Sequence, residues 1–173
     1  GAQIIGADGV DKRIDVLATA IRANMGAADL TELDLAYAPP YSSAKDPVNM
    51  AGFMIENILE GRVRQTDWRR VLAPGGDEIL LDTRSDGEFA RGSLPGALHI
   101  PVDELRSRLG ELPRDKRLAV FCQSGVRSYL ACRILTQHGY DCANVAGGYG
   151  FYQETMLDEE RRRAGVADCG VVV

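Results

Sequence analysis

Residues 118–128 read LAVFCQSGVRS, and this stretch decides the fold. Its first four residues form an apolar run that is typical of a strand buried on both faces. An amphipathic helix is predicted from about Arg127 to His138, so a short loop containing Gly125 separates the strand from the helix. Because ligands bind beyond the carboxyl ends of the parallel strands in open α/β sheets, we expect Cys122 to lie at a functional site.

The sequence on either side of this stretch alternates strands with helices from Arg62 onward. Strands are predicted over 78–82, 97–100, 118–121 and 142–145. Helices are predicted over 66–72, where Thr66 would be the cap, over 87–91, 101–109 and 127–138, and after Gly148. This alternation predicts an α/β domain with a mainly parallel sheet flanked by helices.

Cys122 has the surroundings of a reactive thiol. Successive backbone N–H groups of the short loop can turn inward around one point, next to a helix N-terminus. These donors, the helix end and Arg127 would stabilise a thiolate and lower the pKa of Cys122, which makes the residue a nucleophile at neutral pH. The alternative is a buried structural cysteine that ends a strand.

The length of the loop separates two chemistries. A cysteine phosphatase holds a tetrahedral phosphate in a loop with five residues between Cys and Arg, whereas four residues separate Cys122 from Arg127. A tighter ring of N–H groups fits the single extra sulfur atom of a persulfide, so sulfur transfer is favoured over phosphoryl transfer. A cysteine phosphatase or arsenate-reductase-like enzyme stays open as an alternative, as does a catalytically inactive fold used in partner binding.

Residues from about 63 to 157 resemble a single-domain rhodanese in the order and spacing of their motifs. The matching segments are LDTR (81–84), EF (88–89), GSLPGA (92–97), IP (100–101), the loop 122–128, GY (139–140) and NVAGG (144–148). The resemblance implies a rhodanese-like fold and a sulfurtransferase activity. In that family the cysteine, here Cys122, accepts a sulfane sulfur and passes it to a thiol or to cyanide.

The resemblance also assigns roles to further residues. Arg127 would supply positive charge on the substrate side, and Asp82 and Arg84 match a pair that braces the active-site side of the sheet. Ser93 stands where relatives often carry histidine, which puts proton transfer at that position in doubt but leaves the core mechanism intact. The backbone amides that would hold the sulfur belong to Gln123, Ser124, Gly125, Val126 and Ser128.

Residues 1–61 differ from the rest of the chain in charge and organisation. They hold nine acidic and four basic side chains and account for the net charge of −5, whereas the remainder is neutral. Residues 3–6 read like the end of a strand whose partners are missing, and a helix is predicted after Asp11. Pro39 and Pro40 keep a segment extended, and Asp46 caps a helix that ends near Glu60. We therefore expect an α+β unit that another chain or missing sequence would complete.

This first segment resembles the end of the dimerisation domain of coenzyme A-disulfide reductases and related NADH oxidases, in the subgroup fused to a rhodanese. The matching residues are 9–16 and 35–49, which include APPYS at 38–42. The resemblance implies a homodimeric enzyme that uses FAD and NAD(P)H on coenzyme A disulfide, coenzyme A persulfide or polysulfide. Tyr41, or as second choice Tyr37, would reach across the dimer to the partner's coenzyme A and flavin site; the alternative is that both tyrosines pack beside the prolines.

For this chain by itself, in contrast to the full-length reductase, no cofactor is expected. No G-x-G-x-x-G motif follows a strand, so the FAD and NAD(P)H folds are absent from the sequence and no cofactor is expected in it. The chain is therefore expected to be the C-terminal piece of a longer enzyme. Thiosulfate, polysulfide and coenzyme A persulfide are the expected sulfur-carrying partners.

Composition excludes several classes of protein. No apolar run approaches the ~18 residues of a membrane span, and no basic stripe would favour nucleic acid. Two histidines and the absence of C-x-x-C argue against a metal site. With no secretory signal, we expect a cytoplasmic protein with reduced thiols, in which Cys132 and Cys142 are small buried hydrophobes.

The expected domains are residues 1–61, residues 62–158 and a tail over 159–173. The tail is expected to be a disordered stub, with sulfur transfer from Cys122 to Cys169 as the alternative.

Overall fold

The computed structural model describes residues 1–73 and 78–163, which form two compact units. The first unit comprises Gly1–Arg62 and the second begins at Val63. The expected boundary, between residues 61 and 62, lies one residue earlier. Cys169 lies outside the described residues, so the expectation for it stays a prediction.

The first unit consists of three helices, namely α1 (Val10–Arg22), α2 (Ala27–Glu32) and α3 (Pro47–Leu59). The start of α3 is as predicted, because the Asp46 carboxylate accepts a 3.0 Å hydrogen bond from the N–H of Val48, and Pro47 is the first helical residue. The buried residues shared by the three helices are Ala20, Leu30 and Val48.

The α+β expectation for this unit is wrong, because residues 1–62 contain helices and no strand. Residues 3–6 find no neighbouring strand to pair their backbone N–H and C=O groups, and an unpaired strand has little stability in water. The short helix α2 is not predicted by the sequence pattern. It packs closely on α3, where a Cβ atom at Gly52 would lie 2.9 Å from the carbonyl oxygen of Ala27.

The second unit is built on a five-stranded sheet in which every pair of neighbours is parallel. The strands are β1 (Gln65–Thr66), β2 (Ile79–Asp82), β3 (Leu98–His99), β4 (Leu118–Phe121) and β5 (Cys142–Val145), in the spatial order β1-β5-β4-β2-β3. The predicted α/β class with a mainly parallel sheet is confirmed. The central strand β4 is fully buried along its length, as its apolar sequence predicts.

Alternate residues of β4 contribute to two separate cores, one on each face of the sheet. Leu118 and Val120 belong to the larger core, together with Leu105 and Leu135. Ala119 and Phe121 belong to the second core, with Trp68 among their neighbours. The period of two along a strand sends successive side chains to opposite faces. Both faces of β4 are therefore covered, which holds its carboxyl end in one position.

The helices of the second unit are α4 (Trp68–Val71), α5 (Asp86–Ala90), α6 (Val126–Gln137) and α7 (Gly148–Arg163). Two local predictions are wrong. Thr66 lies in β1 instead of capping α4. The cap is Asp67, whose carboxylate accepts a 3.1 Å hydrogen bond from the N–H of Arg70. Residues 101–108 form turns, followed by a short 3₁₀ helix over Leu109–Glu111, instead of one helix over 101–109.

The reason is the same in both places. Strands of two residues and consecutive turns carry no periodicity, so they become visible only through their tertiary partners.

Helix α7 also continues to Arg163, so the expected start of the tail at residue 159 falls inside a helix. None of the helices in the described residues has the length and the apolar character that crossing a membrane requires.

Candidate active site

Cys122 directly follows β4 and is almost fully buried, with 1% of its surface exposed. The N–H of Gly125 donates a hydrogen bond to its sulfur over 3.1 Å, and the hydroxyl of Ser128 donates another over 3.4 Å. Gly125 is the residue before α6 and has a φ of +120°, a conformation that residues with a side chain rarely adopt. The predicted loop therefore closes around the Cys122 sulfur.

The surroundings of Cys122 lower the pKa of its thiol. Burial by itself would raise that pKa, because a thiolate is poorly solvated in the interior. Hydrogen bonds from the Ser128 hydroxyl and from the N–H groups of Ser128, Gly125 and Ser124 outweigh the burial. The balance favours the thiolate, which is the nucleophilic form of cysteine.

The carbonyl groups of the loop are held from the other side by the start of α7. The N–H of Tyr149 donates to the Cys122 carbonyl over 2.7 Å, and that of Gly150 donates to the Gln123 carbonyl over 3.0 Å. Gly148 permits this approach, because it has a φ of +61° and a Cβ atom there would lie 2.5 Å from the Cys122 oxygen. The indole N–H of Trp68 donates to the Gly148 carbonyl over 2.8 Å and fixes this corner from the core.

Asp82 and Arg84 form a buried ion pair beside the loop, with side chains that are 0% and 3% exposed. The Arg84 guanidinium donates to the Asp82 carboxylate from Nε and Nη2, and it also donates to the carbonyl of Gly92 over 2.8 Å. It reaches the side-chain oxygen of Gln123 at 3.5 Å. These contacts connect the end of β2 with the loop, and the bracing role that the resemblance implies for the pair stays a prediction.

The ring of Tyr149 and the hydroxyl of Ser93 also contact the Asp82–Arg84 pair. The Arg84 guanidinium lies 4.0 Å from the centre of the Tyr149 ring, a favourable cation–π distance. The Ser93 hydroxyl donates to Asp82 over 2.7 Å. Ser93 therefore satisfies a buried carboxylate oxygen, a structural task that differs from proton transfer.

Arg127 is held by a residue to which the sequence analysis assigned no role. Its two terminal nitrogens donate to the two carboxylate oxygens of Glu88 over 2.5 Å and 2.7 Å. This two-point contact is the main reason why the pKa of Arg127 is raised, and the nearby Cys122 adds a smaller effect. Two signals were available, the matching segment EF at 88–89 and the pattern Ser85-x-x-Glu88, which is typical of a helix start; neither by itself indicates a contact with Arg127.

The remaining predicted site residues lie in the Cys122 loop and in the first unit. The N–H groups of Ser124, Gly125 and Ser128 are directed at the sulfur, whereas a sulfur-holding role for those of Gln123 and Val126 stays a prediction. In the first unit, Tyr37 and Tyr41 are 54% and 78% exposed, and their role at a coenzyme A and flavin site also stays a prediction.

Cys132 and Cys142 are buried, and a hydrogen bond with Cys142, together with burial, raises the pKa of Cys132. Within the described ranges, no cluster of three or more His, Cys, Asp or Glu side chains could hold a metal ion.

Similar proteins connect this geometry with a known family. Residues 67–155 match the model of the Rhodanese-like domain. A "Sulfurtransferase" from Allochromatium vinosum is 41% identical over 78 residues, which cover 44% of this chain and 73% of that protein.

Two solved structures resemble more of the chain. One, titled reduced Bacillus anthracis CoADR-RHD, is 48% identical with a TM-score of 0.80, and the match covers 87% of this chain and 27% of that one. The other is a NAD-dependent persulfide reductase from A. fulgidus, 42% identical with a TM-score of 0.74, and that match covers 85% of this chain and 26% of that one. The chain thus spans about a quarter of each of these reductases, and the expected resemblance to a reductase joined to a rhodanese is confirmed.

A model match over more than half of the chain, on the domain that contains the Cys122 loop, settles the family. The chain belongs to the rhodanese-like domain family.

Proposed function

We propose that this protein is a sulfurtransferase that carries sulfane sulfur as a persulfide on Cys122. The observation that supports the proposal best is the Cys122 sulfur itself, which receives hydrogen bonds from the Gly125 N–H at 3.1 Å and from the Ser128 hydroxyl at 3.4 Å. These donors lower the pKa of the thiol and would also stabilise the negative charge of a persulfide.

The proposed reaction has two displacement steps. The Cys122 thiolate attacks the outer sulfur of a donor such as thiosulfate or a polysulfide, a new S–S bond forms, and the old S–S bond breaks. Its electron pair leaves on the donor remnant, which is sulfite or a shorter polysulfide. An acceptor thiolate then attacks the terminal sulfur of the Cys122 persulfide, and the Cys122 thiolate is released for the next cycle.

The size of the loop supports sulfur transfer over phosphoryl transfer. The Cys122 sulfur already lies within hydrogen-bonding distance of the Gly125 N–H and the Ser128 hydroxyl. The ring of donors around it is therefore suited to one further atom. The loop carbonyls are tied to α7 by the N–H groups of Tyr149 and Gly150, so the loop cannot widen without breaking these bonds. A phosphate with its oxygens would need a wider cradle.

We further propose that the chain acts within a larger cytoplasmic, homodimeric enzyme that uses FAD and NAD(P)H on coenzyme A disulfide, coenzyme A persulfide or polysulfide. The similarity to CoADR-RHD and to a NAD-dependent persulfide reductase supports this proposal. Tyr41, or Tyr37, would then contribute to the coenzyme A and flavin site of that enzyme.

The described residues do not themselves fit a dinucleotide cofactor. A pyrophosphate would need a glycine-rich turn after a central strand. The turn after β4 instead carries Cys122 and closes around one sulfur atom. No step of the proposed reaction therefore passes through FAD or NAD(P)H.

The direct test is intact-mass analysis of the whole chain after incubation with thiosulfate. We expect the wild type to gain one sulfur atom and Cys122→Ser to gain none. Cys132→Ala is the matched control, because Cys132 is equally buried but lies within the helix α6, ten residues after Cys122. Sulfur loading by Cys122→Ser would contradict the proposal, and hydrolysis of an aryl phosphate without sulfur loading would favour the phosphatase alternative.

A further inference from the structure

The contact between Arg127 and Glu88 is a two-point ion pair beside the Cys122 loop that the proposed mechanism does not yet use. The two residues are 39 positions apart in sequence, and two nitrogens of Arg127 meet two oxygens of Glu88 at 2.5 Å and 2.7 Å. Their side chains are 35% and 20% exposed, so the pair lies at the edge of the protein interior. Such a two-point contact fixes the plane of the guanidinium as well as its position.

Glu88 is in turn held in place by the start of α5. Its Oε2 accepts hydrogen bonds from the N–H of Ser85 at 3.0 Å and from the Ser85 hydroxyl at 2.8 Å. Hydrogen bonds from Arg127 and from Ser85 keep the pKa of Glu88 far below its ordinary value. The carboxylate is therefore ionised and immobilised before any substrate arrives.

The charge of Arg127 would matter at the moment when a sulfane donor breaks. When Cys122 attacks the outer sulfur, negative charge grows on the leaving group, which points away from the N–H groups under the Cys122 sulfur. Arg127 lies near enough to Cys122 for the thiol to raise its pKa, although Glu88 has the larger effect. A guanidinium at that place can meet the leaving group if it is kept from turning to solvent.

We propose that Glu88 is a positioning residue for sulfur loading, which acts by fixing Arg127 beside the departing anion. This inference rests on the proposed sulfur transfer at Cys122. It adds Glu88 as the residue that holds the Arg127 guanidinium in position. Glu88 itself touches neither the donor nor the reacting sulfur atoms in this role.

A double-mutant cycle tests the proposal, with sulfur loading from thiosulfate as the measurement. Glu88→Gln keeps the size of the side chain and removes its charge, and we expect kcat/KM for loading to fall about tenfold, mostly through kcat. In an Arg127→Ala background the same Glu88→Gln change should alter kcat/KM by less than about twofold, because nothing is left to position. Equal losses in both backgrounds would overturn the proposal, since they would show an effect that does not pass through Arg127.

Two controls separate this role from general stability. Glu104→Gln removes an ordinary exposed partner of an arginine, Arg108 at 2.9 Å, and should leave loading unchanged. Arg127→Lys retains the charge but cannot make the two-point contact, so it should lose about as much activity as Glu88→Gln. If Glu88→Gln does not fold, Arg127→Lys tests the proposal in its place. Loading by Arg127→Lys at the wild-type rate would contradict the proposal.

The same loading measurement distinguishes failure of the proposed function from failure of the positioning role of Glu88. If the wild type forms no persulfide on Cys122, the proposed function fails. If the wild type loads sulfur and Glu88→Gln loads it equally fast, only the positioning role of Glu88 fails.

Discussion

The backbone N–H of Tyr149 donates a 2.7 Å hydrogen bond to the carbonyl oxygen of Cys122. This bond joins the first turn of α7 to Cys122, the proposed nucleophile, and the bond from the Gly150 N–H to the Gln123 carbonyl repeats the contact one residue later. In a trans peptide the C=O and the following N–H point in opposite directions. The Gln123 carbonyl, which is fixed toward α7, therefore turns the N–H of the following residue, Ser124, to the opposite side, where it is directed at the Cys122 sulfur.

Gly148→Ala should disrupt this arrangement. The new Cβ atom would lie 2.5 Å from the Cys122 oxygen, and residue 148 has a φ of +61°. We expect persulfide loading to fall about tenfold or more and the free energy of unfolding to fall by about 1–3 kcal/mol. Loading kinetics with thiosulfate and denaturant unfolding measure the two effects.

Gly110→Ala is the matched control for this substitution. A Cβ atom at Gly110 would meet nothing within 4 Å, so both loading and stability should stay close to those of the wild type. Wild-type loading by Gly148→Ala would show that the contact between α7 and the loop does not shape the sulfur site.

Ser128→Ala should raise the pKa of Cys122 toward its ordinary value. The substitution removes the hydroxyl that donates to the sulfur over 3.4 Å and leaves the opposing effect of burial in place. The pH at which loading reaches half of its maximum should therefore move upward, and loading near neutral pH should fall about three- to tenfold. The pH–rate profile of both proteins is the measurement.

The stability of Ser128→Ala should depend on pH with a defined sign. A thiol whose pKa is lowered by folding contributes stability at high pH, and that contribution is lost as the pH falls through the folded-state pKa. The variant should therefore be destabilised more at about pH 9.5 than at about pH 6. Ser124→Ala is the control, because it keeps the backbone donor and removes an exposed hydroxyl, and it should leave the pH–rate profile of loading unchanged. If Ser128→Ala showed the same pH–rate profile as Ser124→Ala, Ser128 would have no part in the ionisation of Cys122.

Asp82→Ala should be among the most destabilising single substitutions in the second unit. It leaves the Arg84 guanidinium, 3% exposed, without its carboxylate partner. Loss of one member of a buried pair costs about 3–5 kcal/mol. Fluorescence of Trp68, the only tryptophan in the chain, reports unfolding of this unit because Trp68 belongs to its core.

Asp141→Asn provides the contrast for Asp82→Ala. Asp141 also pairs with arginines, but its side chain is 45% exposed, so the loss should stay below about 1 kcal/mol. Similar losses in the two variants would mean that the Asp82–Arg84 pair is not a structural brace.

Ser93→Ala should affect stability without affecting chemistry. It removes a 2.7 Å hydrogen bond to the buried Asp82 carboxylate, which we expect to lower the free energy of unfolding by about 1–2 kcal/mol. The pH–rate profile of sulfur loading should keep its shape, because Ser93 transfers no proton in the proposed mechanism. A changed profile would contradict the structural role of Ser93.

The parts of the site that were predictable from sequence are local ones. The apolar run of β4, the glycine in the loop and the start of α6 lie within eleven residues, so their order alone placed Cys122 at the end of a strand beside backbone donors. The Asp46 cap of α3 was predictable for the same reason. Errors occurred where no local signal exists, as in the two-residue strand β1 and in the turns over 101–108.

The sequence by itself determined the α/β class and the position of Cys122 in a short loop between a strand and a helix, because hydrophobic period and residue spacing are properties of the chain. Only the tertiary structure decided that Glu88 holds Arg127 and that the start of α7 holds the loop carbonyls. These contacts join residues that are 27 to 39 positions apart, and their energy depends on distances that no periodicity encodes. The charge beside the sulfur and the direction of its hydrogen-bond donors are therefore products of packing.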